Sequence, residues 1–141
     1  MKARTILAID PGTAQSAYVL WDSHDKQIIE KGIVPNDDVL RKIGTLIYDA
    51  IAIEMIASYG MSVGKEVFQT CVWIGRFIQR AAPIRTDLIY RREVKMFLCG
   101  SMRAKDSNIR QALIDMLGKD TTKGVSKDVW AALGVAVTYC G

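Results

Sequence analysis

The first third of the chain constrains the fold most, because it holds three strand-like segments joined by very short connections. We predict strands over residues 5–9, 17–21 and 27–33. The connections are the Pro11-Gly12 turn and the polar segment 23–26. Strands joined this closely pair with their neighbours in antiparallel fashion, since parallel pairs need long crossovers. The sheet therefore begins as an antiparallel meander.

Helices and strands alternate along the rest of the chain. The predicted ranges are a helix from Asn36 or Asp37 to Leu46, a strand over 50–56, a helix over 64–81 and a strand over 84–89. Two further helices begin near Asp106 and near Asp128, the first of them ending at Gly118. This order predicts one α/β domain over residues 1–141, with helices packed on a mixed five-stranded sheet.

Two of the predicted helices carry informative apolar surfaces. The last helix is predicted to be amphipathic, with a stripe of Val129, Ala132, Leu133, Ala136, Val137 and Cys140. The helix over 64–81 is predicted to bury Val67, Cys71, Ile74 and Ile78. Beyond that arc, Phe68, Val72 and Trp73 add apolar surface, which either enlarges the core or forms a subunit interface.

Composition narrows the class of protein. A chain of 141 residues, half of them hydrophobic, is long enough for one globular domain with its own core. No apolar run could span a bilayer and the N-terminus lacks signal-peptide features, so we expect an intracellular protein. The formal charge is +4 at pH 7, and most Lys and Arg residues fall in the second half. That clustering favours a nucleic-acid partner over a merely solvated basic face.

Cysteine and histidine offer little chemistry. Cys71, Cys99 and Cys140 are odd in number and lack metal-type spacing, so we expect reduced core thiols. His24 is the only histidine and lies in a polar turn, which argues against zinc binding and against histidine-based nucleophilic catalysis. Carboxylates remain as the plausible reactive groups.

Three acidic residues stand where a charge is unfavourable. Asp10 ends the apolar run 6–9, Glu54 interrupts the apolar strand, and Asp128 opens the apolar last helix. Asp10 also suits an Asp-Pro-Gly turn, and Asp128 suits the first turn of a helix capped by Ser126. Glu54 has no such structural explanation, because an unpaired carboxylate on a buried strand is costly.

Acids on separate elements can converge when the chain folds. Their mutual repulsion would then raise their pKa values and destabilise the site, unless a divalent cation that prefers oxygen ligands neutralised them. The first hypothesis from the residues is therefore a Mg²⁺ or Mn²⁺ site formed by Asp10, Glu54 and Asp128.

The chain resembles the RuvC-type Holliday junction resolvases of the RNase H-like superfamily, particularly their small phage-encoded members. The segments that carry the resemblance are Ala8-Ile9-Asp10-Pro11-Gly12, Ile53-Glu54-Met55, Gly60-Met61-Ser62-Val63-Gly64-Lys65 and 127–136. The resemblance extends over nearly the whole chain. It implies an RNase H-like fold and, for a phage-encoded protein, a location in the host cytoplasm.

The resemblance also implies an activity. It is that of a metal-dependent endodeoxyribonuclease that hydrolyses phosphodiester bonds in four-way and other branched DNA as a homodimer. Asp10, Glu54 and Asp128 would be catalytic and would hold the metals, while Phe68 and Val72 would form the dimer interface. DNA phosphates would be contacted by Lys65, Arg76, Arg103, Lys105, Lys123 and Lys127.

One position departs from the family pattern. RuvC-type enzymes usually carry a second ligand one helical turn after the first on the last helix, and here that position is Ala131. Three explanations stay open: three acids suffice in this branch, another group such as Asp120 reaches the site, or Ala131 replaces a natural ligand.

Rival functions remain at this point. A DNA-junction binder without nuclease activity would share the basic face, and Ala131 favours it. A nuclease for forks or flaps has the same sequence features as a strict junction resolvase. Actin-like ATPases share the opening strand and Asp turn, but they need two such domains around a nucleotide.

Overall fold

The structure, a computed structural model, describes residues 3–141 and confirms the predicted α/β fold with a mixed five-stranded sheet. Its strands are β1 Thr5–Asp10, β2 Gln15–Asp22, β3 Gln27–Pro35, β4 Ala50–Met55 and β5 Thr86–Tyr90. Its helices are α1 Asn36–Thr45, α2 Lys65–Ala81, α3 Arg91–Cys99, α4 Asp106–Leu117 and α5 Val129–Cys140. Among the described residues, no helix is long and apolar enough to cross a membrane.

The sheet has the strand order β3-β2-β1-β4-β5. The meander of β1, β2 and β3 is antiparallel, as the short turns require. Strand β4 pairs in parallel with β1, and β5 pairs in parallel with β4. The connections that lead into β4 and β5 contain α1 and α2, which provide the crossovers. Strand β1 therefore lies at the centre, between an antiparallel and a parallel neighbour.

Each face of the sheet is covered by different helices. One face, here called the α5 face, packs against α5, with α3 and α4 beside that helix. Its buried strand residues are Ile6, Ala8, Ala17, Val19, Trp21, Ala50 and Ala52. The other face, here called the α2 face, packs against α1 and α2, and its buried strand residues are Leu7, Ile9, Tyr18, Leu20, Ile51 and Ile53.

Two predicted helix surfaces are corrected. Helix α5 is not amphipathic, because the whole run 132–137 is buried between the sheet and its neighbouring helices. Helix α2 turns a different arc inward, burying Thr70, Ile74, Phe77 and Ala81. The buried side of the helix is therefore rotated from the predicted side, and Val67 and Cys71 are only half-buried at its edge.

Two further predictions also need correction. The three cysteines are half-buried at the margins of the core, so they are not the core thiols that we expected. Helix α3 was not predicted at all, because it starts directly after β5 with Tyr90 in the capping position, a residue that does not signal a helix start. Its one local signal is Glu93, whose carboxylate accepts the Tyr90 backbone N–H at 2.7 Å.

Candidate active site

Strand register brings Asp10 and Glu54 together. Ala8 pairs with Ala52 and Ile9 with Ile53 in the parallel β1–β4 ladder, so the next residues along, Asp10 and Glu54, are also neighbours. Side chains alternate along a strand, and both acids therefore project on the same side as Ala8 and Ala52, which is the α5 face. Two carboxylates thus end adjacent strands at one edge of the buried layer.

The loop after Asp10 is held by a small polar network. The Gly12 N–H donates to Ser16 Oγ at 3.1 Å, and the Ser16 hydroxyl donates to Asn36 Oδ1 at 2.6 Å. The Asn36 amide donates in turn to the Gly12 carbonyl at 3.0 Å. A Cβ at Gly12 would collide with the Gln15 carbonyl, so only glycine fits there. These contacts fix the end of β1 and with it Asp10.

Asp128 comes from the helix that covers this face. It lies directly before α5, where the Ala132 N–H donates to its backbone carbonyl at 3.2 Å. The preceding Lys127 adopts φ 51°, a left-handed conformation that is unusual for a residue with a side chain. Because α5 packs across β1 and β4, its start delivers Asp128 to the end of the sheet where Asp10 lies.

The pKa of Asp10 is perturbed most strongly, by burial and by its acidic neighbours. Burial raises the pKa of Asp10 to about 8, with further contributions from the charges of Glu54 and Asp128. Burial also raises the pKa of Glu54, while Arg91 acts to lower it. Asp10 in its protonated form shares a hydrogen bond with Glu54. Asp10 is therefore the central member of the cluster, since it responds to both other acids.

Arg91 and Asp106 belong to the same site, and sequence analysis assigned them no role there. Arg91, the first residue of α3, places Nη1 3.4 Å from Glu54 Oε1 and forms an ion pair with Asp106 at the start of α4. Helix α3, which begins with Arg91, packs closely on α5, since a Cβ at Gly134 would lie 3.1 Å from Val94 Cγ1. No local pattern in the sequence could reveal a contact between separate elements.

The acidic cluster fits a divalent cation in its chemistry. Asp10 and Glu54 offer hard oxygen donors side by side, and Asp128 is near enough to raise the Asp10 pKa. Within residues 3–141, however, no three His, Cys, Asp or Glu side chains form a ready-made metal-binding group. The arrangement is a carboxylate pair with a third acid at longer range.

Ala131 lies beside Asp128, as helix spacing predicts. Both line a cavity of about 210 Å³ with Arg91, Asp106, Ile109, Arg110, Lys127 and Trp130. Asp120 lies elsewhere, because its neighbour Thr121 accepts a hydrogen bond from Gln27 at the start of β3, by the end of the sheet opposite Asp10. The explanation that Asp120 replaces the missing ligand is therefore wrong.

The cations predicted to contact DNA are all exposed. Lys65 and Arg76 lie on α2, where the Arg76 guanidinium is 4.2 Å from the centre of the Trp73 ring. The others lie on the segments that flank α4 and lead into α5: Arg103, Lys105, Lys123 and Lys127. Most of this predicted set therefore accompanies the helices of the α5 face.

The predicted interface residues are exposed on the outer side of α2. Phe68 and Val72 each expose 62% of their surface, far more than apolar side chains in a core. They lie one helical turn apart and so share one side of the helix. The first alternative, enlargement of the core, is wrong for Phe68 and Val72, but it holds for Trp73, which packs against the core of the α2 face.

Comparison with solved structures identifies the architecture. The fold is that of RuvC. Thermus thermophilus RuvC matches with a TM-score of 0.69 and 16% identity over 95% of this chain and 92% of that one. T. thermophilus RuvC in complex with a Holliday junction substrate matches with a TM-score of 0.69 and 14% identity, over 96% and 92%. No protein-family model matches the sequence, and no match was found among curated protein sequences.

Proposed function

We propose that this protein is a metal-dependent, structure-selective endodeoxyribonuclease that resolves four-way DNA junctions and related branched DNA. The observation that carries the proposal is the pairing of Asp10 and Glu54 at the ends of adjacent strands, with Asp128 in electrostatic reach, on a RuvC fold. On this proposal the protein works in the cytoplasm, that of the host cell if it is phage-encoded.

Asp10, Glu54 and Asp128 would hold Mg²⁺ or Mn²⁺. The bound cation supplies Lewis acidity and charge neutralisation during phosphodiester hydrolysis. Asp10 would be the central ligand, since the charges of both Glu54 and Asp128 act on its pKa. A water oxygen bonds to phosphorus as the P–O3′ bond breaks, and one of the water protons ends on the 3′-oxygen.

Resolution of a four-way junction requires two cuts placed symmetrically, and a homodimer provides two equivalent sites. The exposed apolar pair on α2, Phe68 and Val72, supports a dimer through that helix. The proposed phosphate contacts on each subunit are Lys65, Arg76, Arg103, Lys105, Lys123 and Lys127.

A second candidate function is junction binding without cleavage. It is favoured by Ala131 at a position where a ligand is expected, and by the Arg91 guanidinium that contacts Glu54. Both features reduce the number of carboxylate oxygens available to a cation.

Cleavage assays separate the two candidates. Labelled four-way junction, fork, flap and linear duplex should be incubated with the protein in Mg²⁺, in Mn²⁺ and in EDTA. We expect paired cuts in the junction with either metal, stronger in Mn²⁺ because this ion tolerates imperfect coordination. The Asp10→Asn variant should bind the junction without cutting it. Tight binding of the junction by the parent protein without cleavage in either metal would favour the binding function.

A further inference from the structure

Arg91 is bound between two acids at the edge of the acidic cluster. One guanidinium nitrogen contacts Glu54 and the other pairs with Asp106, while the side chain is 33% exposed. Asp106 is 76% exposed and Glu54 only 16%, so solvent screens the outer ion pair far more than the inner one. Arg91 therefore bears on both an exposed and a buried acid, and it acts to lower the pKa of Asp106 and of Glu54.

The same guanidinium lines the cavity that contains the position of the missing ligand. Arg91, Asp128 and Ala131 all line the 210 Å³ cavity, so a positive charge is held where an aspartate at position 131 would help to bind a cation.

We propose that Arg91 replaces the second divalent cation of the site. Its guanidinium binds a non-bridging oxygen of the scissile phosphate from the cavity beside Ala131, and one divalent cation per subunit is held at the Asp10–Glu54 pair. Arginine suits this role, because its planar donors match phosphate oxygens and its charge persists at any working pH. Asp106 is a positioning residue that orients Arg91. The inference rests on the proposed nuclease activity and explains how three acids suffice.

The central test counts metal ions. Calorimetric binding of Mn²⁺ should give one ion per subunit in the parent protein and in Arg91→Ala. The double variant Arg91→Ala, Ala131→Asp should bind two, because the cavity then offers a carboxylate instead of a guanidinium. Two ions per subunit in the parent, or one in the double variant, would overturn the proposal.

Cleavage of a four-way junction provides the second measurement. Arg91→Ala should cut more slowly by on the order of 10²–10³-fold, the usual effect of removing one preorganised charge from a reacting centre. Adding Ala131→Asp to that variant should restore part of the rate. Arg92→Ala is the matched control, because Arg92 follows Arg91 in α3 but lies over the Tyr59 ring, 4.9 Å from its centre. Equal rates for Arg91→Ala and the parent would refute the assignment.

Conservative variants guard against a folding defect. If Arg91→Ala unfolds, Arg91→Lys retains the charge but cannot bridge Glu54 and Asp106, so its rate should fall roughly tenfold with one Mn²⁺ still bound. Asp106→Asn should change the rate less than Arg91→Lys does.

If the parent cuts no branched DNA, the proposed nuclease activity fails by itself, and the ion counts of the parent and double variant still decide whether Arg91 occupies the place of a cation.

Discussion

The two faces of the sheet differ in the size of their buried strand side chains and in the residues exposed at their edges. The α5 face buries several alanines, with Ala8, Ala17, Ala50 and Ala52 on the strands and Ala132 and Ala136 on the helix. The α2 face is built from bulkier residues, among them Leu7, Ile9, Ile51, Ile53 and Phe77. Small side chains let a helix backbone approach the strands closely, so Asp128 at the start of α5 comes near Asp10 and Glu54.

The outer side of α2 has no comparable cluster of acids but exposes Phe68 and Val72. On the proposed function, the molecule therefore uses the α5 face for chemistry and the α2 face for assembly. The comparison teaches that one sheet can place a buried reactive site on one side and an exposed apolar surface for a partner subunit on the other.

Removal of an acid from the α5 face should have the largest effect. We expect Asp10→Asn, Glu54→Gln and Asp128→Asn each to reduce cleavage by on the order of 10⁴-fold or more, since residues that act as a unit fail together. Junction binding, measured by fluorescence anisotropy, should be retained. An acid whose replacement lowers the melting temperature but leaves cleavage intact has a structural role instead.

Salt should weaken junction binding next most strongly. The six phosphate contacts of one subunit alone predict a loss of about 10³-fold in affinity between about 50 and 200 mM salt, because bound counterions are released from DNA, and a dimer with two such sets should lose more. Replacing cations beside the α5 face, such as Lys105 and Lys127, by Gln should lower the salt slope. Changing Lys65 and Arg76 on α2 tests whether the other side contributes as much. Binding that is insensitive to salt would contradict the predicted phosphate contacts.

A charge on the α2 surface should separate assembly from folding. Phe68→Asp or Val72→Asp should make the protein monomeric at micromolar concentration and abolish paired incision, while the circular dichroism spectrum is unchanged. Both side chains are already exposed, so an acid there costs the single subunit little. Sedimentation of the parent as a monomer would remove the proposed interface.

The stability of the metal-free protein should fall as pH rises. The pKa of Asp10 is about 8 in the folded state and 3.8 for an unperturbed carboxyl, so the folded state binds more protons between these values. Over that window one such proton lowers the free energy of unfolding by up to about 1.4 kcal/mol per pH unit.

Melting in EDTA at about pH 5 and about pH 8 measures this dependence. Asp10→Asn should be more stable than the parent at the higher pH, where Mn²⁺ should stabilise the parent but not the variant. Identical pH profiles for the two proteins would show that the Asp10 proton has no part in stability.

Addition of a ligand at position 131 should have the smallest effect. With Arg91 in place, the carboxylate of Ala131→Asp lies in the cavity that Arg91 lines and pairs with it, so cleavage in Mg²⁺ should stay within about twofold of the parent or fall. A clear gain in Mg²⁺ would show instead that a natural ligand had been lost. The measurement compares the cleavage rates of Ala131→Asp and of the parent in Mg²⁺ and in Mn²⁺.

Local patterns anticipated most of the secondary structure. The short turns specified the antiparallel meander, and strand alternation put Glu54 on the same side as Ala52. Helix α3 escaped prediction because its start lacks a capping side chain of the usual kind. The inward arc of α2 was misplaced, because the neighbouring strand and α1 select which apolar residues are buried.

The sequence by itself determined that three acids lie at the ends of apolar elements, because an acid beside a run of apolar residues can be read directly from the chain. Only the tertiary structure decided which groups meet them. Arg91 and Asp106 reach the site through the packing of α3 and α4 beside α5, while Asp120 is carried to the other end of the sheet. The physical reason is that burial and charge act through space, and distances between separate elements depend on how their side chains pack.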